Sequence, residues 1–227
     1  MSTGATYRPG RHTQVVLRPI GSALPLGFLA LFVGSLLLSA IQLHWTPVAQ
    51  THEIAIGVLC FVVPLQALGT VFGLLARDPV CATGLGVLGG TWLAAGLLLL
   101  LGAPGVPSPG LGVLLVAAAA ALLVPTGTAA AGKVLAAIVI GGAAARFAIS
   151  GVYQLSGSAA GQQAAGIAGV VVAGLAGYGA LAFELESAFG RTILPTFRHH
   201  QGRLAMSGRL ADQVAGITHE AGVREEL

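Results

Sequence analysis

Residues 24–43 read LPLGFLALFVGSLLLSAIQL, twenty positions without an Asp, Glu, Lys or Arg. A helix rises about 1.5 Å per residue, so this run covers the roughly 30 Å hydrocarbon core of a bilayer. A helix at the surface of a soluble protein needs a charged face to meet water, and none exists here. The same pattern returns along the chain. Runs at about 53–75, 80–101, 110–126, 134–154 and 162–184 each approach the length of a membrane span, the fourth being the shortest. The breaks between them carry turn chemistry: Arg77-Asp78-Pro79, the Pro- and Gly-rich stretch 103–110, and Pro125-Thr126-Gly127. This predicts an all-α integral membrane protein of six transmembrane helices.

Composition leads to the same class. The chain is 55% hydrophobic and only 8% charged, with a mean hydropathy of +0.86, against about 25% charged in an ordinary globular chain. Too few charges remain to solvate the surface of a soluble domain of this size. In lipid, every backbone donor and acceptor must be satisfied within a helix or a closed barrel, and continuous rather than alternating apolar runs select helices. The 34 glycines then read as places where helix backbones approach closely, because van der Waals contact drives association between spans. Cys60 and Cys81 fall in apolar runs and read as small packing residues, with no disulfide and no metal site expected. Residues 1–23 are polar and basic, and the run that follows is long enough to span, so no secretory signal peptide is expected.

The basic residues test the count of six. Arg8, Arg11 and Arg18 precede the first run, Arg77 follows the second and Lys133 the fourth; Arg191, Arg198, Arg203, Arg209 and Arg224 follow the sixth. The other three loops, near 44–52, 102–109 and 155–161, have no Lys or Arg. Miscounting by one span would destroy this segregation. The positive-inside tendency places both termini in the cytoplasm of a cell expected to carry the protein in its inner or plasma membrane. The domain plan is a cytoplasmic tail at 1–23, a six-helix permease domain at 24–190 and a cytoplasmic tail at 191–227. In the last segment Leu204, Leu210, Val214 and Ile217 fall on one face of a short surface helix or belong to a partly ordered tail. The formal net charge of +3 is accounted for by orientation, so membrane lipid and no nucleic acid is the expected partner.

Arg146 is the one basic residue outside this segregation. It sits near the middle of the fifth run, where Arg costs about 2.5–3.5 kcal/mol on the insertion scale. The eight carboxylates, Glu53, Asp78, Glu184, Glu186, Asp212, Glu220, Glu225 and Glu226, lie at span ends or beyond. Arg146 must therefore find water, backbone carbonyls or a mobile anion. Ser150 and Tyr153 follow at i+4 and i+7 on the same face, and Gly142 at i−4 opens space there. Two readings stand: a hydrated stripe that attracts anions, or an Arg bonded to carbonyls at a subunit contact. Gln66 and Thr70, four apart between Gly69 and Gly73, and Gln162 and Gln163 at the start of the sixth run, either line a path or hold helices together. An enzyme is not expected. His12, His44, His52, His199, His200 and His219 all lie in tails or the first loop, none has a partner at metal-ligand spacing, and no nucleotide fingerprint or nucleophile–base set occurs. No cofactor is expected.

The stretch Phe189-Gly190-Arg191-Thr192-Ile193-Leu194-Pro195, closing the sixth run, resembles the C-terminal signature of the acetate uptake transporter family, the acetate and succinate permeases of bacteria and fungi. Pro25-Leu26-Gly27 in the first run is similar to half of that family's N-terminal motif, with Ser22 in place of its Asn. Gln66, Trp92, Gly166, Gly169 and Tyr178 also match, so the resemblance covers about residues 20–196. It implies a six-helix protomer with its own pore, assembled as a homo-hexamer. It implies an apolar girdle at Leu31, Leu88 and Gly142, where the family carries two aromatics and a Leu, with Ala176 retained beside it. Arg146 has a hydrophobic counterpart in the family. The leading expectation is a channel or proton-coupled permease for small monocarboxylates such as acetate, with succinate as a further candidate. The pore-lining and substrate candidates are Gln66, Thr70, Arg146, Ser150 and Ala176. A channel for small neutral solutes such as urea or ammonia, and a structural membrane protein with no path, are the alternatives. They part on whether Arg146 and Gln66 face a cavity within one protomer or a helix contact.

Overall fold

In a computed structural model, which describes residues 21–199, six helices are long and apolar enough to cross a membrane. They run Leu24–Gln42, Val48–Leu75, Pro79–Leu101, Pro109–Ala130, Val134–Ser156 and Ala159–Phe189. The pattern at Leu204, Leu210, Val214 and Ile217, with Arg8, Arg11, Arg18, Arg203, Arg209, Arg224, His12, His200 and His219, lies outside the described residues.

Local chemistry sets the helix ends. Asp78, Ser108 and Ser158 cap the third, fourth and sixth spans, their side chains accepting from the backbone N–H of Cys81, Leu111 and Gly161. Pro79 and Pro109 follow two of these caps in the first turn, where a missing N–H leaves no bond unmade. Gly157 and Gly190, with φ of 64° and 62°, end the fifth and sixth spans in the left-handed conformation that Gly adopts freely. Pro64 removes a donor inside the second span, and a π turn at Val58–Val62 absorbs the misfit just before it.

Two boundaries differ from the sequence expectation. Pro125-Thr126-Gly127 is not a break: the fourth span continues through it to Ala130. The Thr126 hydroxyl donates to the Leu122 carbonyl and the Thr128 hydroxyl to those of Val124 and Pro125, so neither Thr side chain turns the backbone out of the helix. The sixth span is 31 residues rather than ending near 184, because helix-forming Glu184 to Phe189 extend it beyond its apolar run.

Each helix packs most extensively on its chain neighbours, and the sixth returns to the first, so the spans close a ring in chain order. Glycines set its tightness. A Cβ on Gly151 would stand 2.9 Å from the Gly112 carbonyl oxygen, and one on Gly112 3.0 Å from that of Gly151. Backbone lies against backbone there, which only glycine on both sides permits. The outside of the ring is apolar: Leu74, Leu101, Leu123, Val124 and Val171 are all more than half exposed, as a lipid-facing surface requires. Arg77, Lys133, Arg191 and Arg198 lie at one end, with the turns after the even-numbered spans. The opposite end carries the loops without Lys or Arg.

Candidate functional site

The ring encloses a cavity at each end. At the Lys/Arg-free end a cavity of about 610 Å³ opens between the loops at 44–51 and 101–108. It narrows to a floor at Trp92, Arg146 and Phe147, and Ser150 and Tyr153 line it as well. Arg146 is 1% exposed. One edge of its guanidinium is held across the ring: Nη1 donates to Ser35 Oγ at 3.1 Å and Nη2 to the Ser35 carbonyl at 3.4 Å. Its carbon lies 5.5 Å from the centroid of the Trp92 ring, which packs edge-on against Phe147. The other edge, Nε, has no hydrogen-bond partner. Arg146 is bonded to a carbonyl, but inside one protomer, and it also bounds a cavity. Among the described residues, no Asp or Glu lines that cavity.

The sequence reading missed the face that receives Arg146. Ser35, Ser39 and Gln42 of the first span are all buried. Their spacing at i, i+4 and i+7 stacks them on one side of the helix, and this spacing inside an apolar run was the signal that could have found them. Gly169 of the sixth span lies against the same place: a Cβ on it would collide with Ser39 Oγ and come within 2.8 Å of Arg146 Nε. Glycine is what leaves room for a guanidinium here.

At the basic end a cavity of about 750 Å³ is lined by Asp78, Lys133, Glu186 and Arg198 among others. Lys133 Nζ meets Asp78 at 2.5 Å, tying the turn after the fourth span to that after the second. The Phe189–Pro195 motif has a structural role here. Gly190 ends the helix and the chain folds back over its own last turns. The Tyr178 hydroxyl donates to the Pro195 carbonyl, and Leu194 packs against the core. The buried Glu186 carboxylate accepts from the hydroxyls of Thr192 and Thr196 and from the Arg198 guanidinium. His199 N–H donates to the Gly132 carbonyl, fixing the strap to the turn before the fifth span. Phe189 and Arg191 point outward.

An apolar layer separates the two cavities. On the third span Trp92 lines one cavity and Cys81 the other, about three turns apart. Leu88 and Leu85 lie between them, and Leu31 and Phe28 lie at the same depth on the first span; all four are 0% exposed. Ala176 is equally buried on the sixth. Gly142 lies on the fifth span with the sixth close by. A Cβ there would meet Val172 and Leu175 at 3.4–3.5 Å, on the flank of the fifth span that faces the sixth. The buried face of that turn presents Val139, Ile140 and Ala143 instead, because a step of one residue rotates a helix position by about 100°.

Gln66 and Thr70 line neither cavity. Gln66 is fully buried, and its amide donates to the Gly27 carbonyl at 3.0 Å, fastening the second span to the Pro25-Leu26-Gly27 turn of the first. Thr70 donates to the carbonyl of Gln66 at 2.8 Å, within its own helix. Gln66 joins two spans, whereas the Thr70 bond stays within one. Gln162 lines the cavity that holds Arg146.

No family model and no curated protein matches the sequence. Among solved structures, that of the bacterial acetate channel SatP superposes on 78% of this chain and 99% of its own, with a TM-score of 0.69 at 23% sequence identity. The six-helix fold is therefore one that this chain shares with the bacterial acetate channel SatP.

Proposed function

We propose that this protein is a membrane permease for small monocarboxylates of the acetate class, acting as a channel or with a co-transported proton. The observation that carries the reading is the pair of cavities on the axis of one ring, one of them with a single fixed cation at its floor. A charge in a narrow, low-dielectric recess draws counter-ions strongly, because its field cannot spread into water. The apolar layer beneath admits a solute only if it is small and sheds its water, which suits a carboxylate of two or three carbons and places succinate at the upper limit. The likeness to an acetate channel supports this substrate class. The protein moves a solute and performs no chemistry on it.

The basic end faces the cytoplasm in this reading, with both termini on that side of the inner or plasma membrane. The lipid-facing apolar surface and the glycine-rich contacts suit assembly into a ring of six protomers, each with its own path. Flux into liposomes holding the purified protein tests the substrate class. Labelled acetate is expected to enter well above the rate of empty liposomes, succinate more slowly and urea at the empty-liposome rate. Urea faster than acetate would overturn the reading in favour of a neutral-solute channel.

A further inference from the structure

We infer that His44 is an anion-recruiting residue at the mouth of the Lys/Arg-free cavity: in its imidazolium form it draws small anions, carboxylates among them, into the recess that has Arg146 at its floor. The inference adds an entry residue to the permease reading, and its main test does not depend on that reading. The position follows from how the first span ends. Leu43 caps the helix, the His44 N–H donates to the Ile41 carbonyl at 3.1 Å and the Trp45 N–H to that of Ala40 at 2.8 Å. This paired capping pattern puts its middle residue in the left-handed conformation, and the usual occupant is glycine. Here it is His44, with a φ of 59°. Glycine would take this conformation with less strain but has no side chain to offer. The turn leaves the imidazole exposed to solvent and on the lining of the cavity. His52 holds the same loop in place: its Nε2 lies 3.2 Å from the carbonyl oxygen of Gly102, which also lines the mouth.

The surroundings give that imidazole its weight. Among the described residues, Arg146 and His44 are the lining groups able to carry a positive charge, Tyr153 is the remaining titratable one, and no carboxylate lines the cavity. The other elements around the mouth present Ser108, Gln154 and Gln162, all neutral. His52 and the exposed Glu53 stand beside the mouth without lining it. Arg146 is bonded to Ser35, and His44 lies beyond Ser35 by about 13 Å along the first span. Mouth and floor therefore meet an anion in succession rather than at one point. Histidine is the side chain whose charge changes between about pH 5 and 8, so the mouth gains a positive charge as the surrounding medium acidifies. A charge at the lip of a recess with low-dielectric walls raises the concentration of counter-ions inside it.

A thiol inside the mouth reads the potential directly. Gln162→Cys, in the full chain with Cys60 and Cys81 replaced by alanine, is labelled with two methanethiosulfonates, one bearing a sulfonate and one a trimethylammonium group. The ratio of the anionic to the cationic rate cancels the titration of the thiol itself. Between about pH 8 and about pH 5, in low salt, this ratio is expected to rise roughly threefold, the order of a unit charge acting across several ångströms of water. In His44→Asn, a residue that also tolerates the left-handed turn, the ratio should stay low at every pH. In His44→Arg it should stay high at every pH, and in His52→Asn the rise should persist. No rise with His44 in place, a rise that survives His44→Asn, or one lost in His52→Asn would overturn the assignment. Acetate influx into liposomes at neutral pH, where a carboxylate is almost wholly ionised, should be faster in His44→Arg than in His44→Asn by a similar factor. Equal influx in the two would refute recruitment. If acetate enters with neither, the permease reading fails on its own, and the labelling ratio still decides whether His44 draws anions into the cavity.

Discussion

Replacing Arg146 by glutamine is expected to cut carboxylate flux by at least about tenfold, the lower range by which a focused charge raises the local concentration of its counter-ion, while leaving the assembly folded. Glutamine keeps hydrogen-bonding capacity toward Ser35, which now receives two bonds from the guanidinium. It also removes a charge that is expensive to insert, at about 2.5–3.5 kcal/mol, so thermal stability should hold or rise. Urea flux should stay at the empty-liposome rate or rise above it. The structural alternative gives a different pattern. If the contact with Ser35 and the Trp92 face is the whole purpose of Arg146, the substitution lowers the melting temperature and acetate flux falls only by the share of protein that has unfolded. Measuring melting and acetate flux on the one variant separates the two.

The second large effect is expected at the apolar layer. Leu31 and Leu88 are fully buried between the cavities, so Leu31→Ala with Leu88→Ala should open the narrowest zone by several methyl groups. Each truncation in a packed core costs about 2–5 kcal/mol of stability, and a lower melting temperature is expected. The change in function should run the other way. One methylene of room is worth about 1–3 kcal/mol in discrimination, so butyrate and succinate should gain flux relative to acetate by roughly tenfold or more. Gly142→Phe, by contrast, should leave the acetate-to-butyrate ratio unchanged, because its side chain would meet Val172 and Leu175 on the flank toward the sixth span. An unchanged ratio in a folded Leu31/Leu88 variant would show that this layer does not gate the path.

The six spans were legible because lipid leaves the sequence little freedom: each helix is a long uncharged run, and the basic residues between runs fall on alternate loops. The errors have physical causes. Pro125-Thr126-Gly127 reads as a turn because its chemistry suits one; only the Thr hydroxyl bonds to Leu122, Val124 and Pro125 reveal a continuing helix. The length of the sixth span was hidden because its apolar run ends near residue 184 while its backbone does not. The site was half legible. Arg146 was conspicuous by charge, and its neighbours Ser150 and Tyr153 followed from helical spacing; all three line one cavity. Gln66 was ambiguous because its partner, the Gly27 carbonyl, is backbone and carries no sequence signature. Gly142 was chosen by spacing, which fixes depth in the membrane better than it fixes the direction a position faces. The stripe Ser35, Ser39 and Gln42 was present in the first stretch quoted but looked like dilution of an apolar run. Its meaning came from the fifth and sixth spans that face it.

A single thiol at position 88 tests the central claim, that solute crosses through the middle of each six-helix ring. In a background with Cys60 and Cys81 replaced by alanine, Leu88→Cys places a reactive group at a fully buried position between the depths of the two cavities. A small water-soluble thiol reagent added to liposomes that take up labelled acetate is expected to modify it. Uptake should then fall to the rate of empty liposomes, and adding acetate in excess beforehand should slow the modification. Full modification at position 88 with acetate uptake unchanged would contradict the account, because the path would have to lie outside the ring.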